Sequence, residues 1–127
     1  MNSAMPLKFI ARSSGTDDEN DVLVAGLAEG ADGSGRVLFF EAGADDSYCL
    51  ATEGPGTAYG CVRELTIDGD RLAIVVRDEA VATLGLGDPS ILVQLAVDAQ
   101  SVAALRHHLV RILSHGHADD RPAVLRL

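Results

Sequence analysis

The apolar residues of the chain fall into short runs, most of which alternate with polar positions. In the first half of the sequence these runs are Leu7–Arg12, Val22–Ala28, Arg36–Glu41 and Tyr48–Thr52. Short runs with a period of two, bounded by Gly, Asp and Ser, are typical of β-strands. The polar stretches between them, such as SSGTDDEND, predict surface loops. The first half of the chain therefore predicts four short strands.

A hairpin is predicted in SYCLATEGPGTAYGCVRELTI, which spans Ser47–Ile67 and contains both tyrosines and both cysteines. The predicted structural residues of its loop are Gly54, Pro55 and Gly56. With this loop, Cys49 lies opposite Cys61, within reach of a disulfide. The cysteine spacing matches no metal or CxxC pair, however, and cytoplasmic thiols are normally reduced. We therefore expect two small interior thiols that pack together, with a regulatory disulfide as the alternative.

The returning strand of this hairpin breaks the period of two. Val62, Leu65 and Ile67 cannot share one face of a regular strand, because Val62 and Leu65 differ by an odd number of positions. One extra residue between Gly60 and Glu64 would restore the pattern, so we expect a β-bulge there. Gly60 is the natural site, since glycine tolerates a positive φ.

The second half of the chain predicts a hairpin, a short helix, a strand and one long helix. The sequence IDGDRL predicts a hairpin with a two-residue turn. Asp78 caps a short helix, Ser90–Val97 alternates as a strand, and Asp98 caps the long helix. The long helix carries an apolar stripe at helical spacing, formed by Val102, Leu105, Leu109, Ile112 and Leu113.

Together these elements predict an α+β fold. We expect an antiparallel β-meander of about seven strands, one long C-terminal helix packed on one face of it, and a short helix before the last strand. The sheet face expected to receive the helix carries Leu65, Ile67, Leu72 and Ile74. The length predicts one domain over residues 1–127, with its core at about 7–115 and residues 116–127 as a tail or a short edge strand.

The charge of the chain narrows the class of partner. The 19 Asp and Glu residues outnumber the 10 Lys and Arg residues, which gives a net charge of −9. This balance argues against nucleic acid, whose phosphates attract Lys and Arg, and against an anionic membrane surface. No apolar run approaches the roughly 20 residues of a membrane span, and the N-terminus lacks the apolar region of a secretory signal. We therefore expect a cytoplasmic protein.

The residue pattern predicts no catalytic site, no cofactor and no metal. Serines stand at element ends, where turn and capping chemistry explains them. His115 and His117 could supply two metal ligands, but metal sites need three or four that converge. A histidine at the end of a helix is also explained by the helix dipole.

Carboxylates and tyrosines are the remaining candidates for function. The carboxylates cluster in three loops, at Asp17, Asp18 and Glu19, at Asp45 and Asp46, and at Asp119 and Asp120. They are open to two interpretations, as solvated loop tips or as an electronegative rim that attracts a basic partner. Tyr48 and Tyr59 should point to opposite faces of the hairpin. Tyrosine is favoured at binding hot spots, so one of the two is a candidate contact residue.

These residues also resemble a known family. The stretch YCLATEGPGTAYGCV, followed by DGDRLAIVV, DEAVATLG and LRHHLVRIL, is similar to immunity protein family ten of bacterial polymorphic toxin systems. The resemblance runs from about Leu7 to Leu113 and is most specific at Tyr48-Cys49-Leu50 and at Thr57-Ala58-Tyr59-Gly60. Family members usually carry a second glycine where this chain has Cys61.

The resemblance implies a small cytoplasmic protein that is not an enzyme. Such a protein binds a cognate toxin domain and blocks it, and many of these toxin domains are basic nucleases. We expect the contact surface to be formed by Tyr48, Glu53 and Tyr59, with the acidic loops at Asp17–Glu19 and Asp45–Asp46.

Two alternatives to a toxin-binding protein follow from the residues alone. One is a small-molecule-binding or enzymatic domain with its pocket between sheet and helix, which would need converging polar groups. The other is a homomeric structural module that pairs through an exposed edge such as the AVLRL tail. The residues favour no particular oligomeric state.

Overall fold

The computed structural model describes residues 6–43, 47–54 and 56–127, which form two β-sheets and two α-helices. Within these residues the strands are β1 (Leu7–Ala11), β2 (Ser13–Asp17), β3 (Leu23–Ala28), β4 (Val37–Ala42), β5 (Tyr48–Thr52), β6 (Thr57–Tyr59), β7 (Val62–Asp68), β8 (Arg71–Val76), β9 (Ser90–Leu95) and β10 (Val124–Arg126). The helices are α1 (Asp78–Thr83) and α2 (Ala99–Ile112), and short 3-10 turns span Glu19–Asp21 and Ala118–Asp120.

The two sheets, called sheet A and sheet B, have five strands each. Sheet A has the order β1-β9-β8-β7-β10, and sheet B has the order β2-β3-β4-β5-β6. Sheet B is an antiparallel meander, whereas β1 and β10 at the edges of sheet A run parallel to β9 and β7. The α+β class is therefore confirmed, but the prediction of a single sheet of about seven strands is wrong.

The chain passes between the sheets at two short crossings. Arg12 separates β1 from β2, and Gly60 with Cys61 separates β6 from β7. Gly60 has a φ of 58°, which turns the chain out of sheet B. The predicted loop at SSGTDDEND is wrong over its first residues, because Ser13–Asp17 form β2 directly after the crossing at Arg12. This edge strand consists of polar residues and glycine, so it shows no apolar alternation. The sequence pattern therefore misses β2, and it does not reveal that the strands belong to two different sheets.

The predicted IDGDRL hairpin is confirmed. Ile67 pairs with Leu72 and Leu65 pairs with Ile74 across β7 and β8, so the four side chains share the buried face. Gly69 at the turn has a φ of 62°. A primed two-residue turn requires positive φ values, and glycine supplies one without strain.

The predicted β-bulge is also confirmed, although not at its expected residue. The register of β7 against β8 shifts between Val62 and Glu64, which makes Arg63 the extra residue. The bulge brings both Val62 and Leu65 into the core. Gly60 lies before β7 and forms the crossing between the sheets instead.

The predicted register of the β5–β6 hairpin is wrong by two residues. Cys49 lies opposite Tyr59 rather than Cys61, and Ala51 lies opposite Thr57. A shift of two residues leaves every side chain on the same face, so the apolar pattern cannot distinguish the two registers. The described pairing ends at Ala51 and Thr57.

Helix α2 covers sheet B, not the sheet face that the sequence predicted. Asp98 caps the helix as expected, because its Oδ1 accepts a hydrogen bond from the backbone N–H of Ser101 at 2.7 Å. The predicted cap of α1 is wrong, since Asp78 is the first residue of that helix and the N-cap is Arg77, without a side-chain hydrogen bond. The helix contacts β2, β3 and β4, and its apolar stripe joins one core shared with both sheets. Each sheet offers an apolar inner face, so the stripe alone could not indicate which sheet receives it.

Candidate partner-binding surface

One face of sheet B is turned away from the core and from α2. Strands β3, β4 and β5 bury alternate residues, such as Ala25, Phe40 and Leu50, and present the residues between them outward. We call this surface the outer face of sheet B. It comprises Ser13, Gly15, Asp17, Val24, Gly26, Ala28, Val37, Phe39, Glu41, Cys49, Ala51, Thr57 and Tyr59.

The exposed aromatic side chains both lie on this face. Of the five aromatic residues of the chain, Phe39 is 46% exposed and Tyr59 is 72% exposed, while the other three belong to the core. Exposed aromatics on a flat sheet are typical of an interaction surface. Sequence reasoning found Tyr59 but missed Phe39. The FF pair was an available signal, because neighbouring strand residues point to opposite faces and one phenylalanine must therefore point outward.

Tyr59 lies at one end of a row of residues that crosses the whole sheet. The pairings place Tyr59 beside Cys49, Cys49 beside Glu41, Glu41 beside Val24, and Val24 beside Asp17. Tyr59 and the acidic loop that begins at Asp17 thus lie on one continuous surface. Sequence reasoning proposed both without a register to connect them, and it missed Glu41.

The outer face of sheet B carries negative charge. Asp17 and Glu41 are exposed on it, and no Lys or Arg occupies any of its described strand positions. The outward side of sheet A is mixed in charge, since Lys8 and Arg71 lie on it together with Glu64 and Asp68. The outer face of sheet B thus has acidic residues without basic ones among its described strand positions, and this favours a cationic partner.

Tyr48 lies inside the protein, which contradicts its predicted place in a contact surface. Its side chain is fully buried. The hydroxyl donates to the backbone carbonyl of Asp120 at 2.8 Å and accepts from the backbone N–H of Val62 at 3.0 Å. Burial raises the pKa of this phenol to about 12. Tyr48 therefore joins the start of β7 to the C-terminal segment and has a structural role.

The C-terminal segment is held at the crossing between β6 and β7. Arg77 Nε donates to the carbonyl of Gly60 at 3.0 Å, and its guanidinium also donates to the carbonyl of Asp119. A side chain at Gly60 would place its Cβ 2.6 Å from Asp120 Oδ1, so glycine is required by space as well as by φ. Beyond this contact β10 pairs with β7. Residues 116–127 thus end in a short edge strand.

The predicted structural glycines of the hairpin loop have different surroundings. A Cβ on Gly56 would collide with the backbone carbonyl of Thr83 in α1, so glycine allows the hairpin and the helix to touch there. Gly54 is exposed, and a Cβ on it would meet only Thr52 Oγ1, at 3.5 Å. Pro55 lies outside the described residues.

The acidic residues of the predicted contact surface are exposed where the structure describes them. Asp17 Oδ1 accepts from the backbone N–H of Glu19 at 3.2 Å. Asp18 Oδ2 lies 3.8 Å from Arg111 Nη1, but both side chains are largely in solvent and the pair adds little stability. Glu53 Oε1 accepts from the backbone N–H of Val37 at 3.1 Å, beside the outer face. Asp45 and Asp46 lie outside the described residues.

The two cysteines are free thiols, and the prediction that both lie in the interior is wrong for Cys49. Cys49 is half-buried on the outer face of sheet B, and burial and then the neighbouring Glu41 raise its pKa. Cys61 is buried, which raises its pKa to about 12. Raised pKa values keep both sulfurs protonated near neutral pH, so neither has the character of a reactive thiolate.

The packed interior of the interface between α2 and sheet B is apolar in the described structure, and a cleft of about 320 Å³ opens at its margin, beside Asp18, Leu23 and Arg111. Leu105, Leu109 and Ile112 are fully buried there, and no polar or charged residue is buried among the described residues. A cleft of about 440 Å³ lies elsewhere, between β6, α1 and the C-terminal turn. Arg77 within this cleft already donates to backbone carbonyls. The predicted alternative of a sheet–helix active site therefore finds no support.

The described residues bring no three His, Cys, Asp or Glu side chains together as a metal site would require. In the same part of the chain, no helix is long and apolar enough to cross a membrane.

One of three comparisons with known proteins, that with protein families, agrees with the sequence resemblance. Neither curated proteins nor solved structures gave a match. The family model described as Immunity protein 10 matches residues 10–103, which is 94 of the 127 residues. The matched range contains β2 to β9 in full and the last two residues of β1, and it ends within α2. The chain therefore belongs to the Immunity protein 10 family, and its function is one of immunity.

Proposed function

We propose that the protein binds a bacterial toxin domain through the outer face of sheet B and blocks the active site of that toxin. The observation that carries this proposal is the position of Phe39 and Tyr59, the two exposed aromatic residues, on one acidic sheet face. Membership in an immunity family supports a toxin as the partner. We place this activity in the cytoplasm and expect it to require no catalysis by the immunity protein itself.

The charge of the surface favours a basic toxin domain, such as a nuclease. Asp17 and Glu41 lie within the face, and the whole chain carries a net charge of −9. Attraction over this range accelerates encounter and is screened by salt. The association rate should therefore fall as ionic strength rises, while the aromatic contacts mainly determine how slowly the complex dissociates.

The size of the face indicates that neighbouring loops take part. Five strands about 4.8 Å apart and five residues long give a flat area of only about 300 Å². A standard interface buries roughly 800 Å² on each partner. The loop at Asp17–Glu19, next to β2, and the turn after Glu53, next to β5, border the face and can supply further contact. A patch of that size is large enough to cover an active-site cleft.

The test uses the toxin domain encoded by the neighbouring gene, inactivated at its own catalytic residue. We expect Tyr59→Ala and Phe39→Ala each to raise the dissociation constant by about tenfold or more, because truncation of an aromatic hot spot removes buried contact. The control is Leu92→Ala on the outward side of sheet A, where the side chain is 38% exposed. Its dissociation constant should equal that of the wild type.

Two results would contradict the proposal. Equal affinity of the wild type, Tyr59→Ala and Phe39→Ala proteins would remove the outer face of sheet B from the interface. Full activity of the native toxin in the saturated complex would show binding without blockage of the active site.

A further inference from the structure

A groove on the outer face of sheet B has no function within the protein's own fold. It has a volume of about 410 Å³ and runs beside Phe39 over the strands β2, β3 and β4. We call it the glycine groove, and its apolar lining is formed by Gly15, Val24, Gly26, Ala28, Val37 and Phe39. Gly15 and Gly26 lie opposite each other in the β2–β3 pair and form its floor.

The two floor glycines differ in what the fold requires of them. A Cβ on Gly26 would lie 2.9 Å from Cε1 of Phe39, because the phenylalanine ring leans over this position. A Cβ on Gly15 would meet no atom within 4 Å, and Gly15 does not have a positive φ. Neither space nor backbone conformation therefore demands glycine at position 15.

Glycine within a strand weakens it, and its presence often marks a place where another molecule approaches closely. We propose that the glycine groove receives an apolar side chain of the toxin, which lies over Gly15 against the ring of Phe39. This inference rests on the proposed function, because it names the chemistry of the partner at the same surface. Gly15 is then the residue that leaves room for the partner.

The surroundings of the groove define the chemistry of its occupant. Its walls are the aliphatic side chains Val24 and Val37 and the half-exposed ring of Phe39. Asp17 lines one end, and no Lys or Arg lines the groove among the described residues. The structure therefore favours an aliphatic or aromatic anchor that projects from a cationic surface, as in a hot spot enclosed by a polar rim.

A second copy of this chain is a less suitable occupant. Two outer faces of sheet B placed together would oppose Asp17 and Glu41 of both copies in a chain of net charge −9. Like charges held across an interface suppress pairing.

The experiment fills the groove and leaves the rest of the face unchanged. We expect Gly15→Val to raise the dissociation constant for the inactivated toxin domain by at least about tenfold, because the added side chain occupies the place of the anchor. The thermal midpoint of the free protein should not fall, since open space surrounds Gly15. Gly15→Ala adds only a methyl group and should give a smaller loss of affinity. Ala73→Val, which adds a similar side chain on the outward side of sheet A, is the matched control and should bind normally.

The outcomes separate this inference from the proposed function. Normal affinity of folded Gly15→Val, together with weak binding of Tyr59→Ala, would overturn the groove proposal and keep the toxin-binding face. Normal affinity of all three outer-face variants, Tyr59→Ala, Phe39→Ala and Gly15→Val, would overturn both. A wild-type dimer that Gly15→Val converts to monomer, with toxin affinity unchanged, would identify a second copy as the occupant and reject the toxin anchor. If Gly15→Val lowers the thermal midpoint, normal affinity of a stable Gly15→Ala protein would count against the proposal.

Discussion

The buried hydroxyl of Tyr48 should be one of the largest single polar contributions to stability. Tyr48→Phe keeps the ring and removes the oxygen that bonds both Val62 N–H and the Asp120 carbonyl. Val62 is fully buried, so its backbone N–H is not accessible to water, and leaving that N–H unpaired should cost about 1–3 kcal/mol. The Asp120 carbonyl is only partly buried and loses a net hydrogen bond of about 0.5–1.5 kcal/mol. We expect the free energy of unfolding to fall by about 2–4 kcal/mol.

Urea-induced unfolding followed by circular dichroism measures this loss, and a thermal scan should show a fall of roughly 4 °C for each kcal/mol in a domain of this size. Tyr59→Phe is the matched control. It removes the same atom from a side chain that is 72% exposed, so its effect should stay within about 0.5 kcal/mol. A Tyr48→Phe protein as stable as the wild type, or a Tyr59→Phe protein equally destabilised, would refute the structural role of the Tyr48 hydroxyl.

Two further predictions concern the same region. In the folded protein the pKa values of Tyr48 and Cys61 are both about 12, above their ordinary values of 10.0 and 9.0. As the pH rises, the unfolded chain therefore loses these protons before the folded protein does. The free energy of unfolding should accordingly fall as the pH rises from 9 toward 12. This decline in the free energy of unfolding is at most about 1.4 kcal/mol per pH unit for each group. Urea unfolding at several pH values measures the decline, and a free energy of unfolding that stays constant above pH 9 would contradict the prediction. Gly60→Ala should destabilise more than Gly69→Ala in the same assay, because both positions have positive φ but only Gly60 also lies against Asp120. Equal losses for the two alanine variants would show that the contact with Asp120 is unimportant.

The features predicted correctly from the sequence are those that local chemistry determines. The turn at Gly69, the cap at Asp98 and the apolar stripe of α2 depend on residues within a few positions of one another. The bulge between Val62 and Glu64 also left a local signal, because it restores the apolar parity of the strand.

The division into two sheets left no such signal. Alternation shows which side of a strand is buried, but it does not identify the neighbouring strand. The chain passes from sheet A to sheet B at the single residue Arg12, and β2 after it carries no apolar side chain that would mark it as a strand. The C-terminal strand β10 and its parallel pairing with β7 connect residues distant in sequence, and nothing in AVLRL indicates that partner.

The candidate site was predicted in part for a related reason. Tyr59 was identified because its residue type suits an interface, and its side chain is exposed in the structure. Phe39 and Glu41 were missed because aromatic contacts were sought within one hairpin and carboxylates only in loops. A binding face on a meander is instead assembled across strands, one residue from each, and it becomes visible only when the register of β2 to β6 is known.

The family-like segment YCLATEGPGTAYG therefore contains residues of two kinds. Tyr48 and Gly60 hold the C-terminal segment against the crossing between the sheets, through Asp120. Tyr59 lies one position before Gly60 but faces outward on the opposite side of the strand from the buried Ala58. Neighbouring residues of one motif thus support different properties, the stability of the fold in one case and the proposed contact with a toxin in the other. A loss of immunity caused by substitution in this motif can be assigned to either property only when stability and affinity are measured on the same variant.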